Sequence, residues 1–440
     1  MDLKSRLRSI VQAPQPVREL TYEPDDGYRQ AAPLDLDRAA EILGGRRVST
    51  RFGECLVIDR RYEAERWHGD IRIGDCEIDD VDALRLLDPA LGGSGRPGLP
   101  AGRRTIFIDL ETTGLSGGAG TLAFLVGCGY FDLGAFQVRQ FLLPSHAGER
   151  ALLAAVADFF EGADLIVTYN GKTFDVPVME TRWTFHRMEM PGIGREDGVP
   201  HFDMLHPARR LWKNRMADGY DDAGCRLSTL ERTLFDVQRV GDVPGLEIPG
   251  RFFGFVRSGD PRPLEPVLEH NRIDLVSLAA VTARAVRLTR EGHGACRNCA
   301  EALALGKVFE KAEHVSRAEA CFRRAAESPE SMVRAEALYR LGVRLRRDRR
   351  FTDAAEVWRE LMAFTEPRSM RRGVLGDLRQ VAVEALAIHH EHREKDLAGA
   401  RELALASLEE AAGGRTEKVR HRLARLDRKL ARRTDAQLFF

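Results

Sequence analysis

Long apolar runs are absent from this sequence, which nowhere has the stretch of about eighteen apolar residues that a membrane-spanning helix needs. The pattern of a secretory leader, a charged start followed by an apolar stretch, is also missing. The seven cysteines are scattered and odd in number, which is typical of a reducing compartment. We therefore expect a cytoplasmic protein with no membrane segment.

An excess of charge of either sign is missing as well. Lys and Arg together number 67, as do Asp and Glu, so the formal net charge is zero. Any attraction to a nucleic-acid backbone must therefore come from local basic patches rather than from the whole molecule. With 440 residues, the chain is long enough for two or three domains with substantial cores.

The most informative segment reads IFIDLETTGL, at residues 106–115, and ends an apolar run with two acidic residues. On a strand, Asp109 and Glu111 would share one face, while Ile108 and Leu110 would turn to the other. Two neighbouring carboxylates with little water around them repel each other, which favours a divalent cation such as Mg²⁺ between them. Taken alone, the pair is equally consistent with acidic residues that close a strand.

A second acidic position follows a predicted strand at residues 165–169. A turn begins at Asn170, and Asp175 is predicted to be the N-cap of a helix that carries Pro177 in its first turn. Taken alone, Asp175 is fully explained as a helix cap.

A third segment, residues 263–290, has the apolar spacing of a helix. His270 and Asp274 are four residues apart, which places them on one face, one turn from each other. Taken alone, they are equally well explained as a surface pair.

In this order the three motifs, FIDLETTGL, YNGKTFD and HNRID, resemble the DEDD exonucleases, which have a ribonuclease H-like fold. The longer segments LETTGLSGGAGTLAFLVG, VTYNGKTFDVP, FDMLHPARRLW, LSTLER and VPG…IPGRFFGF resemble the bacterial YprB-type ribonuclease H-like family over roughly residues 100–290. The resemblance implies an α/β domain with a mixed sheet flanked by helices.

The resemblance also implies an activity, a metal-dependent 3′–5′ exonuclease that hydrolyses single-stranded DNA or RNA by a two-metal mechanism. Asp109, Glu111, Asp175 and Asp274 would hold two Mg²⁺ or Mn²⁺ ions. His270 would take the proton from the attacking water. The alternative is a non-catalytic protein that binds nucleic-acid ends or acts as a scaffold, although all four carboxylates are present.

The general base has two candidates. Related nucleases place a His five residues before the last Asp, or a Tyr four residues before it. This chain has His270 at the Tyr-type spacing and Glu269 at the other. The four-residue offset keeps His270 on the face of Asp274, and imidazole titrates near neutral pH, so we predict His270 as the base.

Five further residues are predicted to contact substrate. By resemblance, the backbone around Thr112 and Thr113 contacts the terminal 3′ nucleotide, and Leu115 wedges against its base. Ordinary packing explains Leu115 equally well. Asn170 and Lys172 would lie beside substrate phosphates, and the alternative for Lys172 is a solvated loop lysine.

The last third of the chain is rich in Ala, Arg, Glu and Leu with helical periodicity. Two segments align at a constant offset of 36 residues, with Gly306 on Gly342 and Phe322 on Trp358. This offset is close to the tetratricopeptide period of about 34 residues, and a looser third copy spans residues 384–404. We predict an all-α tetratricopeptide-like domain that offers a surface to a protein partner. The alternative is a helical bundle that braces the nuclease.

These observations predict three parts of the chain. Residues 1–100 form an N-terminal accessory segment and linker, residues 101–292 form the ribonuclease H-like exonuclease domain, and residues 300–440 form the tetratricopeptide-like helical domain.

Overall fold

The computed structural model describes most of the chain, namely residues 35–78, 80, 82–92, 104–114, 120–195, 198–213, 225–365, 373–410 and 415–438. Leu115, one of the predicted substrate contacts, lies outside the described residues.

In the part of the chain that the structure describes, nine strands form two sheets. In chain order the strands are β1 (Arg46–Thr50), β2 (Gly53–Tyr62), β3 (Trp67–His68), β4 (Ile71–Arg72), β5 (Thr105–Thr112), β6 (Ala123–Asp132), β7 (Ala135–Leu142), β8 (Leu165–Thr168) and β9 (His201–Asp203). The main sheet has the order β1-β2-β7-β6-β5-β8-β9, and β3 pairs with β4 separately. The pairs β5–β8 and β8–β9 are parallel and the others antiparallel, so the predicted mixed sheet is confirmed.

Helices flank this sheet and then continue to the C-terminus. In chain order they are α1 (Leu36–Leu43), α2 (Asp82–Leu87), α3 (Glu149–Phe160), α4 (Asp175–Phe185), α5 (Leu205–Trp212), α6 (Leu227–Phe235), α7 (Ile248–Ser258), α8 (Glu265–Glu291), α9 (Cys299–Lys311), α10 (Val315–Ala326), α11 (Ser331–Arg347), α12 (Phe351–Phe364), α13 (Val374–His389), α14 (Leu397–Glu410) and α15 (Arg415–Leu438). Within the described residues, no helix has the length and apolar character needed to cross a membrane.

The first strands extend the main sheet beyond the nuclease motifs. β2 pairs with β7 in a register that places Leu56 opposite Leu142, and β1 adds to the outer edge of β2. Both strands belong to the segment that the sequence assigned to an accessory part. The sheet is therefore continuous across the predicted boundary at residue 100.

The sheet separates two apolar cores. Alternate residues of β5 belong to different cores, because Phe107 lies in the core that contains Leu275 and Leu278 of α8, whereas Ile108 lies in the core that contains Leu152 of α3. The core on the α8 side continues without interruption into the C-terminal helices as far as α13. Glu301, at the start of α9, is fully buried at this junction.

The C-terminal helices pack consecutively, and the first two helix pairs share one contact. A Cβ added to Gly306 would lie 2.6 Å from the ring of Phe322, and one added to Gly342 would lie 2.6 Å from the indole of Trp358. Glycine at these positions allows α9 to approach α10, and α11 to approach α12, more closely than a side chain would permit. The many-helix C-terminal region therefore has the 36-residue offset in its packing as well as in its sequence.

Candidate active site

Strand β5 places the first two acidic residues on the face that is covered by α8. Phe107 packs against α8, so Asp109 and Glu111, two and four residues further along the strand, lie on the same side. Glu111 is buried, and Asp109 keeps only partial solvent exposure. The alternation predicted for this segment is confirmed.

Asn271 of α8 holds Asp109 in place. Its side-chain amide donates to Asp109 Oδ2 at 2.8 Å and to the Asp109 carbonyl oxygen at 3.2 Å. Asn271 Oδ1 in turn accepts a hydrogen bond of 2.8 Å from Gln140 Nε2. A Cβ at Gly127 would lie 2.1 Å from Asn271 Oδ1, so only glycine at that position of β6 leaves room for the amide.

The first two carboxyls are strongly perturbed. Burial is the main reason that the pKa of Asp109 lies well above its usual value, and the negative charges of Asp274, Glu111 and Asp175 raise it further. Burial likewise raises the pKa of Glu111, followed by repulsion from Asp274 and Asp175. The carboxylates of all three motifs are therefore close enough to repel one another.

Asp175 reaches the site from the start of α4. It is the first residue of this helix, and Phe174 occupies the N-cap position, so the prediction that Asp175 is the cap is wrong. Burial raises the pKa of Asp175 to about 7, although hydrogen bonds from its own backbone and from that of Leu110 oppose the shift. The carboxyl therefore points to the neighbouring strand β5 rather than only capping its helix.

Helix α8 supplies the third motif, and the predicted helical segment is confirmed. His270 Nε2 lies 3.6 Å from Asp274 Oδ2, so the two side chains share a face one turn apart. The other ring nitrogen, His270 Nδ1, lies 2.6 Å from Asp242 Oδ1. Glu269, the other candidate base, points to Arg272, whose Nε donates to it at 2.9 Å.

Arg239, which lies in the loop between α6 and α7, links that loop to α8. Arg239 donates to Asp274, to Asp242 Oδ2 at 3.2 Å and to Glu231 Oε2 at 2.9 Å. Glu231 also accepts from the hydroxyl of Ser277, which is itself in contact with a histidine of the accessory segment, His68, at 2.8 Å. The network therefore runs from β3 to the last carboxylate of the site.

The loop after β8 is organised by Asp203, a residue at the end of β9. Its buried carboxylate accepts hydrogen bonds from the backbone N–H groups of Asn170 at 2.8 Å, Lys172 at 3.0 Å and Leu205 at 3.1 Å. The Asn170 side chain accepts from the Thr173 hydroxyl at 2.7 Å. Asn170 and Lys172 thus lie on a loop whose backbone is held in one conformation.

The side chains of Lys172, Thr112 and Thr113, which are also predicted to contact substrate, have partners within the protein. Lys172 Nζ forms an ion pair of 2.7 Å with Asp88 of the accessory segment. The hydroxyl of Thr112 donates to the Gly114 carbonyl at 2.8 Å, and that of Thr113 accepts from the Leu122 N–H at 3.0 Å. These threonines shape the turn that follows the D-x-E strand.

Six residues of the site escaped sequence reasoning, namely Asn271, Gln140, Asp203, Glu231, Arg239 and Asp242. Three lie in segments that carried a signal, because Asn271 stands within the third motif, Asp203 within FDMLHPARRLW and Glu231 within LSTLER. The other three, Gln140, Arg239 and Asp242, meet Asn271, Asp274 and His270 across 131, 35 and 28 residues, and only the folded chain brings them together.

The chemistry of the carboxylates fits divalent cations. Oxygen ligands of this type are those that Mg²⁺ and Mn²⁺ prefer, and a bound cation would offset both the burial and the mutual repulsion that raise the pKa values of Asp109 and Glu111. The carboxylates are spaced more widely than the ligands of one ion. Among the described residues, only His390, Glu394 and Asp396, far along the chain, bring three candidate ligand atoms within 4.8 Å of one another.

Comparisons with known proteins agree with this architecture. The RNase_H superfamily matches residues 106–286, which contain all four carboxylates. "Uncharacterized protein YprB" from Bacillus subtilis (strain 168) is 34% identical over 388 residues, which cover 85% of this chain and 86% of that protein.

A more distant likeness involves the family B DNA polymerase from the archaeon Pyrobaculum calidifontis, with 13% identity and a TM-score of 0.33 over 49% of this chain and 30% of that one. A likeness this weak has no bearing on fold or function. The extent and identity of the Bacillus match, together with the superfamily match, show that the chain belongs to the YprB family, which carries a domain of the ribonuclease H superfamily.

Proposed function

We propose that this protein is a metal-dependent 3′–5′ exonuclease of the DEDD type that acts on single-stranded DNA or RNA. The observation that carries the proposal is the convergence of carboxylates from β5, α4 and α8 at one partly buried place, where burial, and after it their mutual repulsion, raises the pKa values of Asp109 and Glu111. Membership of the ribonuclease H superfamily supports a nuclease.

Asp109, Glu111, Asp175 and Asp274 would hold two divalent ions. When bound, such ions activate the attacking water and neutralise the charge that develops on the leaving oxygen.

The chain's own residues perform the remaining tasks. His270 accepts the proton of the attacking water at Nε2, the ring nitrogen that lies nearer to Asp274. Asn271 keeps Asp109 from rotating by binding both its carboxylate and its carbonyl oxygen. Protonation of Asp109 or Glu111 would remove a ligand, so the reaction depends on keeping both ionised.

Substrate contacts come from the loops beside the carboxylates. Under this proposal the backbone at Thr112 and Thr113 contacts the terminal 3′ nucleotide, and Leu115 wedges against its base. Asn170 and Lys172 face the phosphates, and Lys172 exchanges its ion pair with Asp88 for a phosphate oxygen.

The helical region would serve as a tetratricopeptide-like platform for a protein partner. The repeated glycine–aromatic contact in the first two helix pairs supports this assignment. The shared core and the buried Glu301 support bracing of the nuclease by the same helices.

The test is cleavage of 5′-labelled single-stranded DNA and RNA by the purified full chain in Mg²⁺, Mn²⁺ or EDTA. We expect a ladder that shortens from the 3′ end with either ion, and none in EDTA. Asp274→Asn should abolish the ladder, whereas Asp260→Asn, which removes an exposed carboxylate paired with Arg262, should not. Persistence of the ladder in Asp274→Asn would exclude Asp274 from the site.

A non-catalytic role in binding nucleic-acid ends is the second candidate, and the ion pair between Arg239 and Asp274 favours it. An arginine on the last carboxylate supplies part of the positive charge that an ion would otherwise bring. The same assay separates the two candidates, because the second predicts retention of labelled ends on the protein without any shortening.

A further inference from the structure

Asp242 lies in the loop between α6 and α7, 28 residues before His270, and belongs to none of the three nuclease motifs. Its carboxylate oxygen Oδ1 is 2.6 Å from His270 Nδ1. Hydrogen bonding to His270 and the charge of Arg239 lower the pKa of Asp242, although burial on its own would raise it. Asp242 is therefore a carboxylate near neutral pH, and a carboxylate can only accept a hydrogen bond.

We propose that Asp242 is the positioning residue for His270, holding the imidazole with its proton on Nδ1 so that Nε2 faces the reacting water. The inference rests on the proposed function for its catalytic meaning. The orientation of the ring itself is a property of the folded protein in the absence of any substrate.

Two contacts fix Asp242 well enough for this task. Oδ1 accepts from the backbone N–H of Val243 at 2.9 Å, and Oδ2 accepts from Arg239 at 3.2 Å. Val243 is buried in the core beneath the sheet, which anchors the loop. Arg239 is in turn held by Glu231, whose carboxylate is almost completely buried.

The geometry also explains how a histidine at this spacing can serve as the base. His270 and Asp274 are one helical turn apart, and Nε2 lies 3.6 Å from Asp274 Oδ2. The bond to Asp242 on the opposite ring edge keeps Nε2 on the side of the carboxylates. The guanidinium of Arg239 pairs with both Asp242 and Asp274. It therefore sets the distance between the residue that orients His270 and the last carboxylate of the site.

The first test measures the tautomer directly and needs no activity. In the metal-free full chain labelled with ¹⁵N-histidine, the resonance of His270 is assigned among the 12 histidines by its loss in His270→Gln. At a pH where the ring is neutral, we expect the proton on Nδ1 in the wild type and a shift toward Nε2 in Asp242→Ala. A proton on Nε2 in the wild type would overturn the proposal.

The second test is a double-mutant cycle on cleavage by the full chain in Mg²⁺. Asp242→Ala should lower kcat by about 10–100-fold, as expected when a reacting group is misplaced, and should leave KM within about twofold. In a His270→Ala background, the same change should have no further effect, because no ring remains to be positioned. An equal loss in both backgrounds would mean that Asp242 acts on the fold or on another group.

Two controls complete the cycle. Asp242→Asn replaces one carboxylate oxygen with an NH2 group, and both oxygens face N–H donors, so the amide sets a donor against His270 Nδ1 or against Arg239. Its kcat should therefore fall together with the fraction of His270 rings that carry the proton on Nδ1. A fall in kcat with the proton still wholly on Nδ1 would show that the charge, rather than the orientation, matters and would overturn the proposal. Asp260→Ala, which removes an exposed aspartate paired with Arg262, should match the wild type.

These tests separate this inference from the proposed function. A wild type that cleaves no oligonucleotide but carries the Nδ1 proton would refute the nuclease and leave the positioning of the ring established. A wild type that cleaves with the proton on Nε2 would do the reverse.

Discussion

Two groups of buried acidic residues in the same domain have opposite electrostatics. Glu149, at the start of α3, is enclosed by protein, and both its oxygens accept from Arg182 at 2.6 Å, with His186 Nε2 also at 2.6 Å. Burial would raise the pKa of Glu149, but these partners lower it. At Asp109 and Glu111 the balance is reversed, because burial and then the charges of neighbouring carboxylates raise the pKa values.

A functional site in this fold can be recognised from the partners of its buried acids. The chain stabilises Glu149 with an arginine and a histidine, and Asp203 with three backbone N–H groups, whereas repulsion from other carboxylates adds to the effect of burial at Asp109 and Glu111. Leaving Asp109 and Glu111 uncompensated destabilises the metal-free fold, because burial disfavours the charged form. Such sites are where functional residues concentrate.

The largest expected effect comes from removing a charge at the uncompensated site. Asp109→Asn keeps the shape of the side chain and its contact with Asn271 but removes a ligand, so cleavage should fall to background. The melting temperature in EDTA should rise, because one of the repelling charges is gone. Gel assays measure the cleavage, and thermal unfolding measures the melting temperature. Cleavage near the wild-type rate would remove Asp109 from the site.

The next effect concerns the base. His270→Ala should lower the cleavage rate by about 10²–10⁴-fold, the usual contribution of a general base. Glu269→Gln should change it little, since Glu269 is half-exposed and paired with Arg272. Single-turnover rates of both variants provide the comparison, and the reverse order of effects would assign the base to Glu269.

Removing the charge of Glu149, the buried acid that has an arginine and a histidine as partners, should lower the stability of the fold rather than raise it. Glu149→Gln leaves Arg182 buried without its carboxylate, and we expect the free energy of unfolding to fall by about 3–5 kcal/mol, as for other broken buried ion pairs. If the variant folds, its cleavage rate per folded molecule should match the wild type. Chemical denaturation gives the stability, and an unchanged midpoint would mean that the pair contributes nothing.

A smaller effect is expected from pH. Asp175 has a folded pKa of about 7, above the usual value near 4 of an unfolded chain. Because its pKa is higher in the folded state, the Asp175 carboxyl binds more protons in the folded than in the unfolded state between about pH 4 and about pH 7. The stability of the metal-free protein should therefore fall as pH rises from about 4 to about 7.

Asp175→Asn should flatten that dependence. Glu149, whose folded pKa is lowered, contributes stability above its unfolded pKa that is lost only as pH falls further. Denaturant midpoints of the wild type and Asp175→Asn across this range provide the measurement. Parallel pH profiles for the two proteins would contradict the assignment.

Local sequence patterns were sufficient to predict the strand that carries Asp109 and Glu111 and the helix that carries His270 and Asp274. Both rest on periodicity, since alternation places the acids on one face of β5, and the four-residue spacing places the pair on one face of α8. The turn after Asn170 was also visible. Asp175 was misread as a cap because Asp is a common capping residue, whereas its carboxyl points to β5.

Contacts between distant segments could not be predicted in the same way. Arg239 and Asp242 lie in the loop after α6, outside the three nuclease motifs, and nothing in their local spacing marks them as partners of α8. A contact across the predicted end of the nuclease is another example. Glu301, beyond the predicted end of the nuclease at residue 292, accepts from Trp212 Nε1 at 2.9 Å and from Arg284 at 2.7 Å.

The most direct test of the uncompensated site is thermal unfolding of the full chain in EDTA and in increasing Mn²⁺. Because a ligand that binds only the folded state raises its stability, the wild type should melt at progressively higher temperature. Glu149→Gln should shift in parallel from a lower start. Asp109→Asn should begin above the wild type and respond weakly or not at all. A wild type that ignores Mn²⁺, or an Asp109→Asn variant that shifts as much as the wild type, would contradict a cation site at these carboxylates.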